Sequence, residues 1–211
     1  MPEIKERPIL FSAPMVRAIL EGQKTVTRRP MKVQPVLKGK LWEVYGAGWG
    51  DGMTSVPAMP GHSLSSNCPY GRRGDRLWVR ESLGYDCEYG HYFAAGGKHG
   101  ETVYLCSLFD DEGAQTGPSY DGLLPERSVP SIHLHRHYSR ILLEITDVRV
   151  ERLQEITPSQ CIAEGAWRIE DKALGRGHEA VAAFKDLWQS TGGDWDANPW
   201  VWAVEFRRVQ P

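Results

Sequence analysis

The sequence predicts the α+β class, as a small mixed β-barrel with peripheral short helices. Three observations carry that prediction. Residues Arg140 to Leu153 alternate Ile141, Leu143 and Ile145, then Val148 and Val150, the pattern of a half-buried barrel stave. Trp200 to Val209 forms a second β-rich run, placed to close the sheet. Between the strands, the helical signals are short and carry their own caps.

Taken in order, Pro8 to Ser12 reads as a first strand and Ala13 to Glu21 as a helix. Ser12 is its N-cap, Pro14 lies in its first turn and Gly22 caps its C-terminus. The β-branched run Thr25-Val26-Thr27 begins the next strand. Alternation there points Thr25 and Thr27 to one face, with Lys24 at its mouth. Trp42 to Asn67 is rich in Gly, Ser, Pro and Met without a clear period, and reads as a long loop or insertion. Gly74-Asp75 is a turn feeding a strand from Leu77 to Glu81.

Ser82 to Pro130 holds eight glycines, and eight acidic residues against two basic ones. Aromatic patches at Tyr89 to Phe93 and Val103 to Leu105 suggest a hairpin within this acidic insertion. Later, Thr157 caps a helix with Pro158 at its first position, ending at Gly165. A further helix runs from about Glu179 to Gln189, with Val181, Phe184, Leu187 and Trp188 on one stripe.

At 211 residues and 41% hydrophobic, the chain is expected to form a single domain over 1–211, with insertions at about 42–67 and 82–130. No run reaches about 18 apolar residues, and the charged start Met1 to Arg7 lacks a signal peptide's apolar core. No membrane association and a cytoplasmic location are therefore expected. Cys68, Cys87, Cys106 and Cys161 show no C-x-x-C pairing and are expected as reduced thiols. The net charge of −2 excludes a whole-molecule field that drives nucleic-acid binding, but its distribution is lopsided. Residues 1–80 hold 13 Lys+Arg against 6 Asp+Glu, a net of +7, so a local basic surface around Arg72, Arg73 and Arg76 can meet phosphate.

The stretch Gly22 to Arg29 is the most informative. A cationic amine, a hydroxyl and two arginines at a helix–strand junction suit anion or nucleotide binding, or a lysine-assisted hydroxyl nucleophile. The same residues also read as a solvated basic turn. His133, His135 and His137 alternate, so on a strand they share one face, a known route to zinc. No carboxylate or cysteine sits at a matching spacing, so surface or cleft-lining histidines are expected and no metal. Trp78, Trp188, Trp200 and Trp202 are expected in the core. Trp42, Trp49, Trp167 and Trp195 fall in less regular segments, where indoles can stack on bases.

The order strand, helix, G-x-K-x-x-T-x-R, then Gly74-Asp75-Arg76-Leu77-Trp78-Val79-Arg80, resembles the ASCH domain family of the PUA-like barrels. The resemblance continues through Ser139 to Val148, Ile162-Ala163-Glu164-Gly165 and Trp200 to Phe206, covering about half the chain. With its two insertions, the layout is similar to that of prophage-encoded members. It implies a PUA-like small mixed β-barrel that recognises RNA or a modified nucleoside. Among ASCH-type amidohydrolases that deacetylate acetylcytidine, a Lys, a Thr three residues later and a Glu in the following helix are proposed as the catalytic set. These positions are Lys24, Thr27 and Glu164 here, with Arg29, Arg76 and Arg140 as expected substrate contacts. The implied activity is hydrolysis of an N4-acylated cytidine without a cofactor. A non-catalytic RNA-binding module is the alternative. A ribonuclease using Lys24 and a histidine of the 133–137 cluster is the third reading.

Overall fold

The computed structural model describes residues 3–44, 55–57, 64–105, 124–166 and 177–209. In chain order its elements are β1 (Glu6–Leu10), α1 (Ala13–Leu20), β2 (Val26–Pro30), β3 (Val36–Lys38), β4 (Leu41–Glu43), β5 (Ser55–Pro57) and β6 (Arg76–Arg80). These are followed by β7 (Leu83–Asp86), β8 (Gly90–Phe93), β9 (Leu142–Arg152), α2 (Pro158–Ala163), α3 (Gly177–Ser190) and β10 (Trp200–Val209). The class is mixed α+β, with few helices and several sheets. None of the sheets closes into a barrel among the described residues. No helix there is long and apolar enough to cross a membrane.

Two compact units share the chain. Unit 1 comprises residues 1–22, 75–144 and 207–211, and unit 2 comprises 23–74 and 145–206. In unit 1, β1 lies parallel to β6, and β6 pairs antiparallel with the start of β9, Trp78 opposite Leu142. The hairpin expected within Ser82 to Pro130 is β7–β8, with Leu83 opposite Phe93. Its Gly84 lets the Tyr92 ring lie across the strand, since a Cβ there would force that ring to move. Val103 to Leu105 extend the hairpin through Phe93 N–H to Val103 O and Leu105 N–H to His91 O. Leu83, Phe93, Leu105, Leu134 and Tyr138 form part of the core beneath it.

In unit 2, β2 pairs antiparallel with β10, which neighbours β9. Helices α2 and α3 bury Cys161, Ala180, Phe184 and Trp188 against Leu153, Trp195 and Val201. The predicted α2 cap is present as a capping box. Thr157 accepts from Gln160 N–H while the Gln160 side chain accepts from Thr157 N–H.

Several expectations are corrected. The segment read as a long loop, Trp42 to Asn67, holds most of β4 and all of β5, which with the preceding β3 form an antiparallel meander, Leu37 opposite Trp42 and Trp42 opposite Val56. Strands of three residues are too short to leave a period. The first strand is Glu6–Leu10 rather than Pro8–Ser12, and α1 ends at Leu20 with Glu21 as its C-cap. His133, His135 and His137 do not share a strand. Two 3-10 turns, Ser131–His133 and Arg136–Tyr138, interrupt any extended run. Each turn satisfies its backbone locally, through His133 N–H to Pro130 O and Ser139 N–H to Arg136 O. Trp195 is buried in the unit 2 core rather than free to stack on a base. Trp42 packs edge-on against Trp200 with centroids 4.9 Å apart. Trp49 and Trp167 lie outside the described residues.

Candidate functional site

Lys24 sits just before β2, where main-chain bonds hold it against the end of α2. Thr25 N–H donates to Ala163 O at 2.8 Å, and Phe206 N–H donates to Thr25 O at 2.9 Å. Helix α2 stops at Ala163 because Glu164 is its C-cap and Gly165 turns out at φ 75°. The Glu164 side chain and its carbonyl therefore both face the lysine.

The Lys24 ammonium donates to Glu164 Oε2 at 2.7 Å, to Glu164 O at 2.8 Å and to Val26 O at 2.8 Å. An ammonium has three protons, so every donor is engaged. Burial is the main influence on this amine and holds its pKa below the usual lysine value. Glu164 works in the opposite direction, and the Arg29 and Arg28 charges lower it further. The other Glu164 oxygen accepts from Arg28 NH1 at 3.0 Å. Arg28, with no exposed side-chain surface, also donates through Nε to Glu151 Oε1 at 2.8 Å, and its NH2 contacts the same oxygen. Arg149 extends the network, with its Nε 3.7 Å from Glu151 Oε2 and its NH1 2.6 Å from Glu205 Oε1.

Alternation along β2 splits the predicted trio. Arg28 lies opposite Ala203 and Thr27 opposite Val204, so Thr27 and Arg29 share the face that Arg28 does not. Lys24 and Glu164 meet directly. Thr27 is buried, and its hydroxyl makes no hydrogen bond among the described residues. Thr25 is exposed just before the strand. Half-buried Arg29 carries a charge felt by Lys24 and by the Tyr70 phenol. Burial raises the pKa of that phenol and the Arg29 cation pulls it back.

The remaining predicted contacts belong to unit 1. Arg140 is buried and forms a two-point pair with Glu81, Nε to Oε1 at 2.9 Å and NH2 to Oε2 at 2.8 Å. Its NH2 also donates to Gly96 O at 2.7 Å, and its guanidinium lies 3.9 Å from the Phe93 ring centre. Its Nε and NH2 donors are thus committed within the protein. Arg76 lies 3.8 Å from Glu6, partly exposed. Arg72 and Arg73 are exposed in unit 2.

Sequence reasoning missed Arg28 and Glu151 as members of the site. A signal was present: Asp147, Arg149 and Glu151 repeat at a spacing of two around the apolar Val148 and Val150, so they share one face and require partners. Cys161, near Arg28 and Glu164, has its thiol pushed up to about 11 by burial, which makes it a poor nucleophile. Among the described residues, no group of three or more His, Cys, Asp or Glu is placed to hold a metal ion. Comparisons with protein-family models, curated proteins and solved structures find no match to this chain.

Proposed function

We propose that unit 2 recognises RNA or a modified nucleoside beside Lys24 and hydrolyses the amide of an N4-acylated cytidine. The observation that supports this most is the buried contact of Lys24 with Glu164, 2.7 Å apart and 140 residues apart in sequence. The ASCH-type, PUA-like resemblance assigns catalysis to these two residues and Thr27. A lysine whose pKa is lowered by burial gives up its proton more readily, as a proton shuttle must. In this scheme Thr27 Oγ1 attacks the acyl carbon and its proton is relayed by water to Lys24 as the neutral amine, because Thr27 faces away from Arg28 on β2. Glu164 orients the lysine. The C–N bond then breaks, Lys24 returns the proton to N4, and water cleaves the acyl–threonine ester to release a carboxylate. Arg29, on the Thr27 face of β2, supplies positive charge for the developing oxyanion. The scheme needs no cofactor.

One observation favours a second reading, an RNA-binding module without chemistry. All three Lys24 protons are already donated within the protein. Acetylcytidine incubated with wild type, Lys24→Ala and Thr27→Val separates the two readings, with cytidine release followed by chromatography. Release by wild type alone supports hydrolysis. Release retained by Lys24→Ala overturns the mechanism. No release, with RNA affinity falling linearly in log[salt], selects the binding module.

A further inference from the structure

We propose a second ligand site, in unit 1, where a groove binds the phosphate of a nucleotide-sized ligand. It stands apart from the chemistry proposed for Lys24. The groove has a volume of about 790 Å³, within the ~300–1,000 Å³ of small-ligand sites. Its lining carries Arg127, Arg136, His133, His135 and His137, with no carboxylate among the described residues. Guanidinium groups match phosphate as planar forks, and imidazoles add N–H donors. Arg127 is exposed, and its side chain has no partner among the described residues. Arg136 Nε lies 2.8 Å from Glu6 Oε2, but Glu6 also faces Arg76 at 3.8 Å. One carboxylate set against two guanidiniums leaves a positive surplus at this rim.

The donors stand on a braced frame. Buried His91 directs Nε2 at two carbonyls, Pro125 O at 3.0 Å and Arg127 O at 3.2 Å. Two acceptors on one nitrogen require Nε2 to carry the proton, so His91 donates and pins the segment bearing Arg127. Arg80 NH1 donates to Ile132 O at 3.2 Å, and the His137 ring packs 4.1 Å from that of Tyr138. Leu124, Pro125, Val129 and Pro130 complete the groove with apolar surface. A charged end beside an apolar wall suits a phosphate attached to a flat base, rather than a bare anion.

Calorimetric titration of the whole chain with cytidine and adenosine 5′-monophosphates, and with the parent nucleosides, tests this site. At least one nucleotide is expected to bind ten-fold or more tighter than its nucleoside. Arg127→Gln and His135→Gln, both surface changes checked by thermal melting, should each weaken nucleotide binding, Arg127→Gln by ten-fold or more. Lys24→Ala should leave it unchanged, which separates this site from the one in unit 2. Equal binding of nucleotide and nucleoside, absence of binding, or binding lost in Lys24→Ala but kept in Arg127→Gln overturns the proposal. Short RNA with and without a 5′-phosphate identifies the source of the phosphate. An Arg127-dependent gain from the terminal phosphate assigns it to a chain end, and no gain assigns it to a free nucleotide.

Discussion

Unit 1 and unit 2 each bury a carboxylate against arginine, but they match charge differently. Among the described residues Glu81 meets Arg140 alone, both oxygens to one guanidinium, and Phe93 covers the cation. Glu164 is divided between two cations, Lys24 on one oxygen and Arg28 on the other, with Arg29 also acting on the lysine. Glu151 takes the other side of Arg28, so Lys24 and Arg28 share two carboxylates, and the half-buried Arg29 adds a third positive charge nearby. A matched pair has no use for a ligand and serves to hold β6, β8 and the entry to β9. The shared network instead includes an amine that can lose its proton, which a pair of guanidinium and carboxylate does not.

The largest effect should come from breaking the matched pair. Glu81→Ala strands a buried arginine that cannot shed its charge, at a cost of about 3–5 kcal/mol in urea unfolding. Replacing both partners with apolar residues should recover most of that loss. Glu164→Ala should destabilise less than Glu81→Ala, because Lys24 can lose its proton when its partner is removed. An equal or larger loss would show that Lys24 stays charged and that the comparison between the units fails.

The third effect is a pH dependence. The folded Lys24 pKa lies below 10.5, so above that lowered value the unfolded state binds more protons than the folded state. Stability of wild type relative to Lys24→Met should therefore rise as pH climbs through the lowered pKa toward 10.5. Denaturant midpoints from pH 7 to about 10 measure it, and a flat or falling difference contradicts the depressed lysine. The smallest effect is chemical: Cys161, with its thiol at about 11, should resist iodoacetamide at pH 8 in native protein while exposed Cys87 reacts. Mass spectrometry of the alkylated peptides reads this directly.

Much of the frame was legible in the residues, because local rules set it. The α2 cap at Thr157 and the strand Trp200–Val209 appear where the sequence places them. The hairpin within the acidic insertion was visible from its aromatic clusters. The β3-β4-β5 meander was hidden because its pairing spreads over strands too short to show alternation. The histidine triplet misled because H-x-H is as compatible with successive 3-10 turns as with a strand.

Half of the candidate site was equally legible: Lys24 and Glu164 could be named, and they touch. Arg28 could not be chosen over Arg29, since adjacent residues on a strand face opposite ways and only the pairing with β10 says which way each points. By itself, then, the sequence determined which chemical groups are present and the elements whose caps and periods are local. Tertiary structure alone decided which oxygens those groups meet, because Lys24 and Glu164 become neighbours only when Thr25 bonds to the end of α2. Partners separated by 140 residues leave no periodic trace, and their energies come from burial that exists only in the folded chain.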